Sequence, residues 1–217
     1  MKINNKTLNI LKNFATINPS IIVKPGNTLK TISSSKTILA RAEVPDTFEY
    51  PFAIYNLSQF IGCISMFTDP DLDFEESSVT ISDGKNKIVY HYADSSIILA
   101  PPEKDINIPS VDTEFKISAT DIPSVAKALS ILELTEIAFV GDGDNIFIQA
   151  IDSKNPSSNQ YSVKVGATDK VFKAIFKPDN LKMVPDDYVV TLSSKGLSKF
   201  VGTEATYYVA IEATSTF

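Results

Sequence analysis

Cysteine, histidine and arginine each occur once in these 217 residues, as Cys63, His91 and Arg41. A lone cysteine excludes an intramolecular disulfide and a cysteine-rich metal site, and its place in an apolar helical run marks Cys63 as a buried structural thiol. His91 lies in a strand-like run of alternating aromatics and reads as sheet surface instead of a catalytic base. With one arginine and no basic helix, nothing in the chain is suited to reading base edges in a major groove. No segment approaches the roughly 20 apolar residues that span a bilayer, and the N-terminus lacks the basic-then-apolar order of a signal peptide, so a cytoplasmic protein without membrane association is expected. A glycine-rich phosphate loop is also missing, which argues against ATP hydrolysis by this chain.

What is present is one unit written twice. Phe52-Ala53-Ile54-Tyr55-Asn56-Leu57 runs from a strand into a helix, and Lys173-Ala174-Ile175-Phe176 followed by Asn180-Leu181 does the same near the end. Residues 5–17 put Leu8, Ile10, Leu11, Phe14, Ala15 and Ile17 on one half of a helical wheel, with Lys6, Asn9, Lys12, Asn13 and Thr16 on the other. Strand-like runs follow at 20–24, 28–32, 37–44 and 48–55, then a helix at 56–67, then strands at 78–82, 86–92 and 95–99. Three prolines and no helical period in residues 100–112 mark a linker, which divides the chain into domains 1–103 and 113–217 around a connecting segment 104–112. Beyond it come a strand at 113–118, a helix at 120–132, strands at 135–140, 145–151, 160–166 and 170–176, a short helix at 177–184, and strands at 187–193, 196–200 and 205–213. The expected fold is therefore α+β, in two tandem halves of two helices and about eight strands each.

The net charge of −6 argues at first against nucleic acid, yet the charge is unevenly distributed. The four helical segments carry Lys6, Lys12, Lys127, Lys177 and Lys182 against Asp121 and Asp179, a net +3, leaving −9 for the rest of the chain. The first two helices have no acidic residue. One reading is a set of solvated lysines; the other is a weakly positive surface on an acidic body, which would follow a phosphate backbone without reading sequence.

Enzyme constellations are weak. Gly141-Asp142-Gly143-Asp144-Asn145 lacks calcium-loop spacing and sits where a hairpin turn is expected, so no metal is called for. Asp69, Asp71, Asp73, Glu75 and Glu76 read as a solvated loop or an edge strand. No catalytic residue and no cofactor is expected.

Leu11-Lys12-Asn13-Phe14-Ala15-Thr16-Ile17-Asn18, Ala53-Ile54-Tyr55-Asn56-Leu57, Asn180-Leu181-Lys182-Met183 with Pro185 and Tyr188, and Tyr208-Val209-Ala210-Ile211-Glu212-Ala213 resemble, in order and spacing, the DNA polymerase sliding clamps of T-even-type bacteriophages. Residues 180–196 are also similar to the second half of cellular processivity clamps. The resemblance spans nearly the whole chain. It implies two tandem clamp domains, each with two helices packed on antiparallel sheets, assembled as a homotrimeric ring whose helices line a central hole threaded by double-stranded DNA. It implies DNA polymerase, an ATP-dependent clamp loader and a late sigma factor or co-activator as partners, in the cytoplasm of an infected bacterium.

Carried onto this sequence, the resemblance makes Lys6, Lys12, Lys127 and Lys182, with Lys177 at a helix start, the residues facing DNA. It also implies an apolar partner-peptide pocket, placed among Ile106, Ile108 and Val111 of the linker, Ile38 and Leu39, and Val209 and Ile211; ordinary core is the competing reading of those positions. Ring closure is expected through strands at 95–99 and 160–165. A duplicated single-strand-binding module and a structural virion protein are the alternatives: the aromatics lie mostly among apolar neighbours, unlike base-stacking platforms, and a virion protein needs no acid-depleted helices.

Overall fold

The computed structural model describes residues 1–104, 106–155 and 157–217; Asp105, within the expected linker, lies outside the described residues. The chain divides into two units, Met1–Lys104 and Asp105–Phe217. The first runs α1 (Asn5–Ile17), β1 (Ile21–Val23), β2 (Gly26–Ile32), β3 (Ile38–Phe48), β4 (Phe52–Ile54), α2 (Leu57–Ser65), β5 (Asp71–Phe74), β6 (Ser78–Ser82) and β7 (Lys87–His91). The second runs β8 (Thr113–Ile117), α3 (Asp121–Ile131), β9 (Glu136–Asp142), β10 (Asn145–Ile151), β11 (Tyr161–Ala167), β12 (Val171–Phe176), a 3-10 turn (Pro178–Leu181), β13 (Tyr188–Ser193), β14 (Leu197–Val201) and β15 (Ala205–Ala210).

The duplication extends to strand pairing. In unit 1, β1 pairs antiparallel with β4, Ile21 opposite Ile54, and β2 pairs with β3. In unit 2, β9 pairs with β12, Ile137 opposite Phe176, and β10 pairs with β11. The remaining strands form antiparallel meanders, β5-β6-β7 and β13-β14-β15. β8 lies along β13, with Ile117 opposite Tyr188. At the matching place in unit 1 the Met1 ammonium donates to the Leu72 carbonyl at 2.5 Å, and the Leu72 amide returns a bond to Met1 at 2.7 Å.

Local chemistry accounts for the helices. Asn4 caps α1 by accepting the Lys6 amide at 2.9 Å, and Thr7, Ile10, Leu11, Phe14 and Ile17 form its buried stripe over β3. Asn56 caps α2 through the Gln59 amide at 3.0 Å, and α2 packs on α1. On α3 the buried positions are Ile122 and Val125, and the helix lies over β9, β10 and β11. In unit 2, Phe139 of β9 meets Phe115, Phe176 and Phe200 at centroid distances of 5.8, 5.3 and 5.9 Å, joining the two sheets.

Three local expectations are corrected. The short helix expected at 177–184 is only the 3-10 turn. Pro185 disfavours helical backbone at Val184, whose amide donates to Tyr207 Oη at 3.2 Å and whose carbonyl accepts from Tyr188 Oη. The strand expected at 95–99 is a 3-10 turn at Ser95–Ile97, started by Asp94 accepting the Ser96 amide at 2.8 Å. Cys63 is half-buried, because it lies beside the Leu57, Phe60, Ile61 and Ile64 stripe and not within it. Of the acidic run, Asp71 and Asp73 lie in β5, an edge strand, and Asp69, Glu75 and Glu76 in the exposed segments on either side, so each of its two readings holds for part of it. At the hairpin joining β9 to β10, the Asp142 carboxylate accepts the Asp144 and Asn145 amides at 2.9 and 2.7 Å, and Gly143 takes a φ of 96°.

Candidate nucleic-acid interface

The outward face of α1 follows from the stripe it buries. At about 100° per residue, Lys12 lies near the centre of the arc opposite Thr7 and Phe14, flanked by Asn9 and Thr16, while Lys6 lies at its margin in the first turn. On α3, Lys127 falls near the centre of the arc opposite Ile122 and Val125. Aligning Thr7, Ile10 and Phe14 with Ile122, Val125 and Leu129 brings Lys12 onto Lys127, so the two lysines hold the same place in the repeat. All three lysines are exposed, and among the described residues none makes an ion pair. α1 has no acid in its first turn, although an acid there would complement the helix dipole.

The other two candidates differ. Lys182 Nζ lies 2.6 Å from the Asp179 carboxylate, and Lys177 Nζ lies 3.8 Å from Glu212. Each positive charge is partly offset by a neighbour, which composition along the sequence does not reveal. The outward face of α2 is neutral, made of Ser58, Gln59, Gly62 and Ser65.

The expected pocket residues fall into two groups. Ile38 and Leu39 open β3 and are buried, as are Val209 in β15 and Ile211 just beyond it. Ile106 and Ile108 are half-buried, and Val111 is 63% exposed. Asp112, at the end of the linker, was not singled out from the sequence. It accepts the Ser194 amide at 2.8 Å and the Ser110 hydroxyl at 2.9 Å, and its carbonyl accepts from Lys170 Nζ. These bonds, the Ser194 amide first, hold its carboxyl below the usual range. A Ser-x-Asp hydroxyl contact and an amide 82 residues away carry too little local signal to have been found beforehand.

A duplicated α+β unit in which α1 and α3 expose unpaired lysines over antiparallel sheets is the architecture of DNA sliding clamps. Residues 2–100 match the family of DNA polymerase processivity factors, and residues 114–213 match the C-terminal part of the gp45 sliding clamp. The sliding clamp of Enterobacteria phage T4 is 33% identical, with 100% of this chain and 99% of the relative aligned. That of Vibrio phage KVP40 is 32% identical over 98% of this chain and 100% of the relative. A. fulgidus PCNA, solved with the C-terminal region of FEN-1 bound, superposes with a TM-score of 0.72 at 13% identity over 97% of each chain, a likeness of fold. The chain belongs to the gp45 family of phage sliding clamps, the processivity factors of DNA replication.

Proposed function

We propose that three copies of this chain close a ring around double-stranded DNA, with α1 and α3 of each protomer turned to the duplex. The observation that carries this reading is the matched pair Lys12 and Lys127, unpaired and central on helix faces that the repeat makes equivalent. Lys6 adds a third cation from α1; Lys177 and Lys182 contribute less because Glu212 and Asp179 stand beside them. Few phosphate contacts per protomer suit a ring that slides, since retention then rests on topology and not on affinity. The acidic remainder of the chain keeps DNA off other surfaces.

Ring closure in this reading uses free strand edges. β11 is an edge strand, in keeping with 160–165. In unit 1 this reading uses β7, the edge strand that precedes the 95–99 segment, with Val89 47% exposed. Domains 1–103 and 113–217, joined by 104–112, would each supply one edge. The ring tethers DNA polymerase and receives a clamp loader and late-transcription factors through peptides anchored near Ile106, Ile108, Val111, Ile38, Leu39, Val209 and Ile211. Support comes from the relative that binds a C-terminal region of FEN-1 and from the surface Val111 presents. The protein acts in the cytoplasm of the infected host and catalyses no reaction itself; no described helix is long and apolar enough to cross a membrane.

The test is retention after loading by the cognate loader, comparing a nicked circle with the same circle linearised. Retention on the circle with loss from linear ends establishes topological linkage. Equal loss from both, with protein shown to be trimeric and loaded, overturns the ring reading.

A further inference from the structure

Unit 1 carries a cavity that neither the DNA-facing helices nor the expected peptide pocket uses. It measures about 250 Å³ and lies where the end of β3, the bend into β4 and the strand β5 converge. Its walls are Phe48, Phe52, Leu72 and Phe74. The three phenylalanines lock one another, with Phe48 to Phe52 at 5.4 Å, Phe48 to Phe74 at 5.8 Å and Phe52 to Phe74 at 5.1 Å. Such interlocked rings make a preformed surface, so a ligand would not have to order it on binding.

The rim is acidic. β5 alternates, turning Leu72 inward and Asp73 outward, and the bend after β3 adds Glu49. A second concavity adjoins it, sharing Tyr50 and Phe74 and bordered by Glu75 and Glu76. Among the described residues these four carboxylates have no ion-pair partner; Asp69, in the same run, is paired with Lys2. Tyr50 stands between the two hollows, 56% exposed. Its own fold gains little from an exposed aromatic set among unpaired acids. A ligand that is apolar along its length and cationic at its tip satisfies both features: the stem lies on Tyr50 and Phe74, and the head lies over a ring face among carboxylates. Nucleic acid is excluded by like charge.

We propose that this hollow is a second docking site, which takes an arginine-bearing segment of a partner protein. The site lies within unit 1 and holds whether or not the ring reading does. The chain has no tryptophan, so a tryptophan-labelled probe reports its own binding. Fluorescence titration of the full-length protein with the capped peptide Trp-Arg-Arg, against Trp-Glu-Glu and Trp-Gln-Gln, tests the proposal.

The expected result is saturable binding of Trp-Arg-Arg alone, weakened about tenfold or more both by Tyr50→Ser and by the combined variant Glu49→Gln, Asp73→Asn, Glu75→Gln, Glu76→Gln. All five positions are exposed, so folding is not at stake, and circular dichroism verifies it. Three outcomes overturn the proposal: no saturation below about 1 mM, equal binding of the acidic peptide, or a loss in the charge variant that Tyr50→Ser does not share. The last would mean diffuse attraction to an acidic surface without a site.

Discussion

The Asp112 carboxylate accepts the Ser194 amide at 2.8 Å, which fastens the last residue of the linker to the turn between β13 and β14. The Ser110 hydroxyl, itself 2.7 Å from the Ser193 hydroxyl, bonds the same carboxylate oxygen, and the Asp112 amide donates to the Leu192 carbonyl at 3.0 Å. The linker thus has a fixed end, and the fixing depends on a charge.

That charge sets a pH dependence. The folded pKa is lowered, so the contribution is fully present above the ordinary aspartate range and fades as pH falls through the lower folded value. Hydrogen exchange at the Ser194 amide, corrected for its intrinsic pH dependence, should stay slow from neutral pH to about pH 5 and quicken only below about pH 4. Asp112→Ala should exchange fast throughout. A Ser194 amide equally protected in the variant would show that the carboxylate is not the fastener.

A stabilising change is expected at Thr7. Its hydroxyl is fully buried in the stripe of α1 and has no hydrogen-bond partner among the described residues. The equivalent place in the second repeat is Ile122. Thr7→Val keeps the shape, removes an unpaired polar group and barely changes helix propensity, so it should raise unfolding free energy by about 1 kcal/mol in denaturant titration. A loss of stability would mean the hydroxyl has a partner, such as a buried water.

Much of this architecture was legible because the burial pattern is periodic. The stripe of α1 and the alternation along β8 and β10 show directly in apolar spacing, and the two copies reinforce each other. The 3-10 turn at Pro178–Leu181 was not legible in that way: its apolar residues satisfy a helical template, and what stops the helix is Pro185 together with two tyrosine hydroxyls, one from Tyr207, 23 residues downstream of Val184. The candidate lysines could be found by composition, but not ranked. Ranking needs Asp179 and Glu212, and Glu212 is remote in sequence from Lys177.

The ranking is itself testable. Lys12→Ala and Lys127→Ala should each lower processive synthesis and flatten its salt dependence, because each removes an unpaired cation opposite phosphate. Lys182→Ala should do less, since its ammonium is already engaged by the Asp179 carboxylate and contributes less to phosphate. Sedimentation should show an unaltered oligomer in all three. An oligomer that dissociates on loss of Lys12 or Lys127 would make those lysines structural.

Lys6 separates the two readings by sign. It sits in the first turn of α1, where the helix dipole disfavours a cation, and its amide is already capped by Asn4. If Lys6 served the fold, Lys6→Ala would destabilise it. Removing an unfavourable charge and adding the best helix former should instead leave stability unchanged or raise it by a few tenths of a kcal/mol, about 0.3 to 0.5. If Lys6 faces DNA, the same change should speed loss of the loaded ring from linear ends, with the acceleration shrinking at high salt. For a DNA-facing residue, thermal stability therefore holds or rises while end release quickens, both measured on one preparation. A variant less stable by more than about 0.5 kcal/mol, with unchanged release, would assign Lys6 to the fold.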